Sequence, residues 1–104
     1  METAMLNHRK RRPTHPGEVL REDVLPAAGI NQTQLARMLR VSRRTVNEIV
    51  QEKRGVSADM AHRLARVFTT TPDVWLNMQK AVDIWDALEA NRREYERIKP
   101  LQVA

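Results

Sequence analysis

The stretch Gln32 to Val50, QTQLARMLRVSRRTVNEIV, constrains the chain more than any other. It holds two short segments of helical periodicity separated by a tight turn. Asn31 is placed to cap the first, and Gln34, three residues on, can return the bond as a capping box. Ile30 before that cap and Leu35 four past it have hydrophobic-staple spacing. The second segment repeats the device, with Ser42 as cap and Val41 and Val46 as the staple pair. Leu35, Ala36 and Leu39 on the first segment, and Val46, Ile49 and Val50 on the second, define two apolar stripes meant for one core. Two helices so short and so closely joined predict a helix-turn-helix.

The outward residues say what such a pair would be for. Arg43, Arg44, Thr45, Asn47 and Glu48 are left on the outside of the second helix. Arg43 and Arg44 fall in its first turn, where the second helix of this motif meets base edges. Gln32, in the first turn of the first helix, suits a phosphate clamp through its amide. Charge follows the same distribution. The whole chain carries a net +5. Six basic residues (Arg37, Arg40, Arg43, Arg44, Lys53, Arg54) face only Glu48 and Glu52 between positions 37 and 54, whereas positions 73 to 99 hold five basic and six acidic residues. The positive charge sits on the proposed reading helices and the N-terminal tail, as a nucleic-acid binder requires.

The remainder reads as support for that pair. At 104 residues the chain makes one domain. Residues 1–12, with the block His8-Arg9-Lys10-Arg11-Arg12, read as a disordered basic tail. A DNA-contacting arm and a segment that folds on a partner stand as the alternatives. Residues 13–99 form the folded domain, and 100–104 a C-terminal tail. Pro16 at the first helical position and Glu18 in the first turn open a helix, with Val19, Leu20, Val24 and Leu25 as its stripe and Pro26 and Gly29 as its end. Ser57 caps a fourth helix with Met60, Ala61, Leu64, Val67 and Phe68 along one face. Thr71 and Pro72 start a fifth, running 72–99 to Pro100, about 40 Å at 1.5 Å per residue. The fold class is therefore all-α, a five-helix bundle with a helix-turn-helix. Trp75, Met78, Val82 and Trp85 give the last helix an apolar face too broad for one domain to cover, and both tryptophans lie on it. Half of that face is expected to serve a two-fold dimer, whose reading helices would stand about 34 Å apart on an inverted repeat.

No catalytic or metal constellation is present in the sequence. His8, His15 and His62 have no ligand partners at useful spacing, and His15 belongs to the first helix entry. Asp83 and Asp86 read as a solvated edge rather than an acid–base pair. There is no phosphate loop and no nucleophile elbow. The expectations are no enzyme, no cofactor, no small-molecule substrate and no membrane segment. With cysteine absent and no secretory signal, the expected location is the cytoplasm.

The run HPGEVLREDVLPAAGINQTQLARMLRVSRRTVNEIV, the Ser57 to Phe68 helix and TTPDVWLNMQKAVDIWD together resemble the HigA-type antitoxins, members of the Cro/C1-like helix-turn-helix proteins. The likeness covers residues 13 to 88, and the HPGE entry and the TPDVWLNMQ segment narrow it to the antitoxin group. It implies a lambda repressor-like DNA-binding domain in a homodimer that represses its own operon by binding double-stranded operator DNA. It also implies a HigB-type toxin partner similar to RelE-like mRNA endoribonucleases; a repressor without a toxin is the alternative. By position the DNA-facing set is Gln32, Thr33, Arg43, Arg44, Thr45 and Asn47, with Lys53 and Arg54 on flanking phosphates. Trp75, Met78, Val82 and Trp85 fall in the dimer region. Arg40 stands where many members carry glycine, so a left-handed turn there would be strained.

Overall fold

The computed structural model describes residues 11–102 and is helical throughout its regular structure. Three continuous pieces, Pro16–Val19, a π turn Leu20–Val24 and Leu25–Ala28, make up α1. Then come α2 (Gln32–Leu39), α3 (Arg43–Val50), α4 (Ala58–Phe68) and α5 (Pro72–Glu96). Among the described residues no helix is long and apolar enough to cross a membrane.

Each helix is where the stripes placed it, for the reasons the caps supply. Asn31 and Gln34 exchange both bonds of the capping box, at 2.8 and 2.9 Å. The Ser42 hydroxyl accepts from the Thr45 N–H, and that of Ser57 from the Met60 N–H. Leu35, Ala36 and Leu39 from α2, Val46, Ile49 and Val50 from α3, and Met60, Ala61 and Leu64 from α4 share one core with Leu20, Leu25, Val56 and Trp75. Val67 and Phe68 pack against its edge.

Two details at the helix ends differ from the sequence reading. α1 closes on Gly29 as read, at φ 69°, but Pro26 lies inside the helix rather than at its end. A proline ring inside an α-helix clashes with the carbonyl four residues back and removes a donor. Here the π turn widens the helix just before Pro26, and the Leu25 N–H reaches back to the Leu20 carbonyl. At the other end, α5 stops at Glu96 rather than near Lys99, and Asn91 breaks its geometry at φ −132°. Beyond Leu88 every described side chain is exposed, so no packing enforces regularity there. Thr71 occupies the N-cap position without a side-chain bond. Its neighbour Thr70 instead receives the Trp75 indole N–H at 2.9 Å.

The HPGE entry works through a close approach. His15 is buried, and its Nδ1 accepts the Gly17 N–H at 2.8 Å. A Cβ at Gly17 would lie 1.8 Å from the Ile49 carbonyl oxygen, so only glycine lets α1 seat this deeply on α3. Residues 1–10 of the expected tail lie outside the described residues. Arg12, assigned to that tail, is tied to the domain: its guanidinium donates to Asp86 at 2.9 and 2.8 Å and to Glu52 at 2.8 Å.

Three outcomes follow from these contacts. Gly17→Ala forces backbone apart and is expected to destabilise by about 2 kcal/mol or more, a fall in Tm on the order of 10 °C by calorimetry. Arg40 sits at φ 62°. Arg40→Gly is expected to stabilise by about 1 kcal/mol, and a lowered Tm would contradict the strain. Burial holds the His15 imidazole below its ordinary range, outweighing the opposing field of Glu52. The unfolded chain therefore takes the proton first, so His15's contribution is complete above pH ~6.5 and is lost as pH falls below it. Tm should drop between pH 7.5 and 5.5, and His15→Asn, which keeps an acceptor, should flatten that drop.

Candidate nucleic-acid interface

With Val46, Ile49 and Val50 inward, helical periodicity turns Arg43, Arg44, Asn47 and Glu48 outward from α3. The first turn of α2 lies beside them. Arg43 Nε donates to the Thr33 hydroxyl at 2.9 Å, and Asn47 Nδ2 to Gln32 Oε1 at 3.0 Å. Thr45 shares its hydroxyl with Ser42 at 2.9 Å, at the mouth of the same turn. Six of the eight sequence-predicted residues thus form one contiguous surface of donors and acceptors across two helices.

The turn between them is tight because Arg40 adopts the left-handed conformation. Its N–H bonds the Arg37 carbonyl, and the Val41 N–H bonds that of Ala36, the paired bonds of a Schellman ending. Arg63 from α4 donates to the Leu39 and Arg40 carbonyls at 2.8 and 3.3 Å and fixes the turn from behind. That support was invisible in sequence, since Arg63 lies over twenty residues away.

Lys53 and Arg54 lie in the connection after α3. This end is again a Schellman ending: the Glu52 N–H bonds the Ile49 carbonyl and the Lys53 N–H the Glu48 carbonyl, with Glu52 at φ 61°. Arg54 folds back to donate to the Glu48 carboxylate at 2.9 and 2.7 Å, while Arg44 reaches the other oxygen at 3.1 Å. The Arg54 and Arg44 hydrogen bonds hold that carboxyl below the usual range. Glu48 was not among the predicted site residues. Its i, i+4 spacing from Arg44 was a readable signal for the pair. The side chain that fixes the turn to α5, Gln79, was missed entirely: it is buried and accepts the Val56 N–H at 2.9 Å.

The four residues predicted for a dimer surface separate. Trp75 and Val82 are 3% and 1% exposed and belong to this chain's own packing, Trp75 against Phe68 at 6.0 Å between ring centroids. Met78 and Trp85 remain half-buried at the surface, beside exposed Val74 and Ile84. The face was broad because one side of it fills the core.

The helix-turn-helix family profile matches residues 20–75, which contain α2, α3 and α4 entire. Antitoxin HigA-1 of Vibrio cholerae is 40% identical over 96 residues, covering 91% of this chain and 90% of that protein. The solved structure of Pseudomonas aeruginosa antitoxin HigA with the higBA promoter superposes with a TM-score of 0.82 at 47% identity, over 88% of this chain and all of that one. Antitoxin GraA in complex with its operator gives a TM-score of 0.82 at 43% identity, over 91% of this chain and 97% of that one. The chain therefore belongs to the helix-turn-helix family and, within it, to the HigA-type antitoxins.

Proposed function

We propose that this protein is the antitoxin and autorepressor of a toxin–antitoxin operon, acting in the cytoplasm. As a homodimer it binds an inverted repeat in its own promoter and neutralises a HigB-type, RelE-like mRNA-cleaving toxin by forming a complex with it. The observation that carries the DNA reading is the joined surface of α2 and α3, where Arg43–Thr33 and Asn47–Gln32 bonds hold polar groups outward in one layer. HigA and GraA, similar along nearly the whole chain, were solved with promoter and operator DNA, which supports the same use of this surface.

The chemistry divides by position. Arg43 and Arg44 are suited to guanine O6 and N7 in the major groove, Asn47 to an adenine edge, and Gln32, Thr33 and Thr45 to phosphates at its rim. Lys53 and Arg54 supply charge to the flanking backbone, releasing condensed counterions as they bind. Dimerisation uses the part of α5 that the core leaves uncovered: Met78 and Trp85, with Val74 and Ile84 beside them. Catching the toxin requires no catalytic group, since occlusion alone suffices.

A promoter gel shift combined with toxin copurification tests both halves. Arg43→Ala with Arg44→Ala should weaken promoter binding by at least about 100-fold, with helicity and copurification of the neighbouring gene product unchanged. An unshifted affinity in that double variant would remove α3 from the interface. For the wild-type chain, log affinity should fall linearly with log salt, and Lys53→Ala should reduce the slope by about 0.9. A neighbouring product that never copurifies would leave a repressor without a toxin.

A further inference from the structure

The turn that follows α3 is held from an unexpected direction. Glu52 occupies the left-handed position of a helix ending, where glycine or asparagine is the ordinary choice. A left-handed residue other than glycine is strained, and the side chain shows what sets this position apart. Its carboxylate accepts from Arg12 at 2.8 Å and from Arg21 at 3.4 Å. Arg21 also donates to the Val50 carbonyl at the end of α3. Arg12 spends its other two nitrogens on both oxygens of Asp86, on α5. One guanidinium thus bridges the chain entry, the turn bearing Lys53 and Arg54, and the long helix. Gln79 makes a second tie between the same two places through the Val56 N–H. Gln79 and Asp86 are seven residues apart on α5 and share a face, and Gly55 is packed against the Gln79 amide, 3.0 Å from where its Cβ would be.

We propose that Arg12 is a positioning residue for DNA binding: by joining Asp86 to Glu52 it sets the turn from which Lys53 and Arg54 meet phosphates. This rests on the reading that this turn faces the DNA backbone. It gives α5 a mechanical link to the reading surface, and makes a residue of the basic N-terminal block part of the folded device. The carboxyls of both partners are held below their usual range. At Asp86 the Arg12 bond is the main cause; at Glu52 the Arg12 and Arg21 bonds outweigh the opposing effect of burial.

Simple electrostatics and positioning predict opposite signs, so promoter titrations decide between them. Asp86→Asn and Glu52→Gln each raise the net charge by one, and charge alone would tighten binding. Positioning predicts that each weakens it, on the order of 5-fold as for an exposed ion pair, with a shallower salt slope. Arg12→Lys keeps the charge but lacks the planar fork that pairs two N–H groups with Asp86 while a third reaches Glu52, and should weaken binding likewise. Arg11→Ala, which removes a neighbouring charge without touching the bridge, gives the size of a pure charge effect. In a chain already carrying Lys53→Ala and Arg54→Ala, Asp86→Asn should cause no loss, leaving only the small tightening its added charge gives, since the groups it positions are gone. Tighter binding by Asp86→Asn alone, or an equal loss in that background, overturns the proposal. If Lys53→Ala with Arg54→Ala binds the promoter as the wild type does, the underlying reading of the turn fails instead.

Discussion

The approach of Gly17 to the Ile49 carbonyl is the constraint on which the reading surface depends. An isolated helix of eight residues is marginal in water, so α3 exists because its inner face is buried. Val46, Ile49 and Val50 supply that face, and α1 must come close enough to cover it. The His15 cap and Pro16 start α1 at the residue where no side chain intervenes. A shift of α1 outward by one methyl group would loosen α3 on the side opposite Arg43, Arg44 and Asn47. The outward side chains would then lose the fixed register that separates base reading from general attraction to phosphate.

Backbone strain brackets the same helix. Among the described residues, left-handed conformations close α1 at Gly29, α2 at Arg40, the α3 end at Glu52 and α4 at Thr69. Only the first uses glycine. The chain's two other glycines, Gly17 and Gly55, are placed where helix or side chain must approach closely. Arg40 and Glu52 therefore carry strain at the two ends of α3. The carbonyl of Arg40 is caught by Arg63, and the carboxylate of Glu52 by Arg12 and Arg21. The contacts that offset the strain also prevent either turn from relaxing, which fixes both the entry and the exit of the reading helix.

What the sequence made legible follows from the range of the interactions. Caps, staples and helical stripes act over three to eight residues, so α2, α3 and α4 and their core positions could be read directly; the bonds from Arg43 to Thr33 and from Asn47 to Gln32 span ten and fifteen residues, and those positions were reached only through the helix-turn-helix motif and the family likeness. The π turn was hidden because Pro26 has the same local signature whether it ends a helix or is absorbed by a widened turn. Trp75 and Val82 were read with Met78 and Trp85 because spacing identifies an apolar face without saying which neighbour covers it. Arg12, Glu52, Gln79 and Arg63 contact partners 23 to 74 residues distant, and no local pattern reports such pairs.

The arginines of this chain divide by which nitrogens they use. Arg43 and Arg44 are each tethered through Nε, to Thr33 and Glu48, and among the described residues their terminal nitrogens make no hydrogen bond. Arg54 engages Nε and a terminal nitrogen on Glu48, and Arg12 engages all three on its two carboxylates. A free arginine loses on the order of 2 kcal/mol of rotamer freedom when fixed. A tether at Nε removes part of that cost in advance while leaving the planar pair of terminal N–H groups for guanine O6 and N7. Arg12, closed on two carboxylates, offers no such pair and acts as a brace, whereas Arg54 keeps one terminal nitrogen that makes no hydrogen bond among the described residues. Glu48 and Glu52, the acidic residues inside the most basic part of the chain, therefore do more than reduce its charge. Glu48 tethers Arg44 and Arg54, and Glu52 completes the brace that holds the turn beside them.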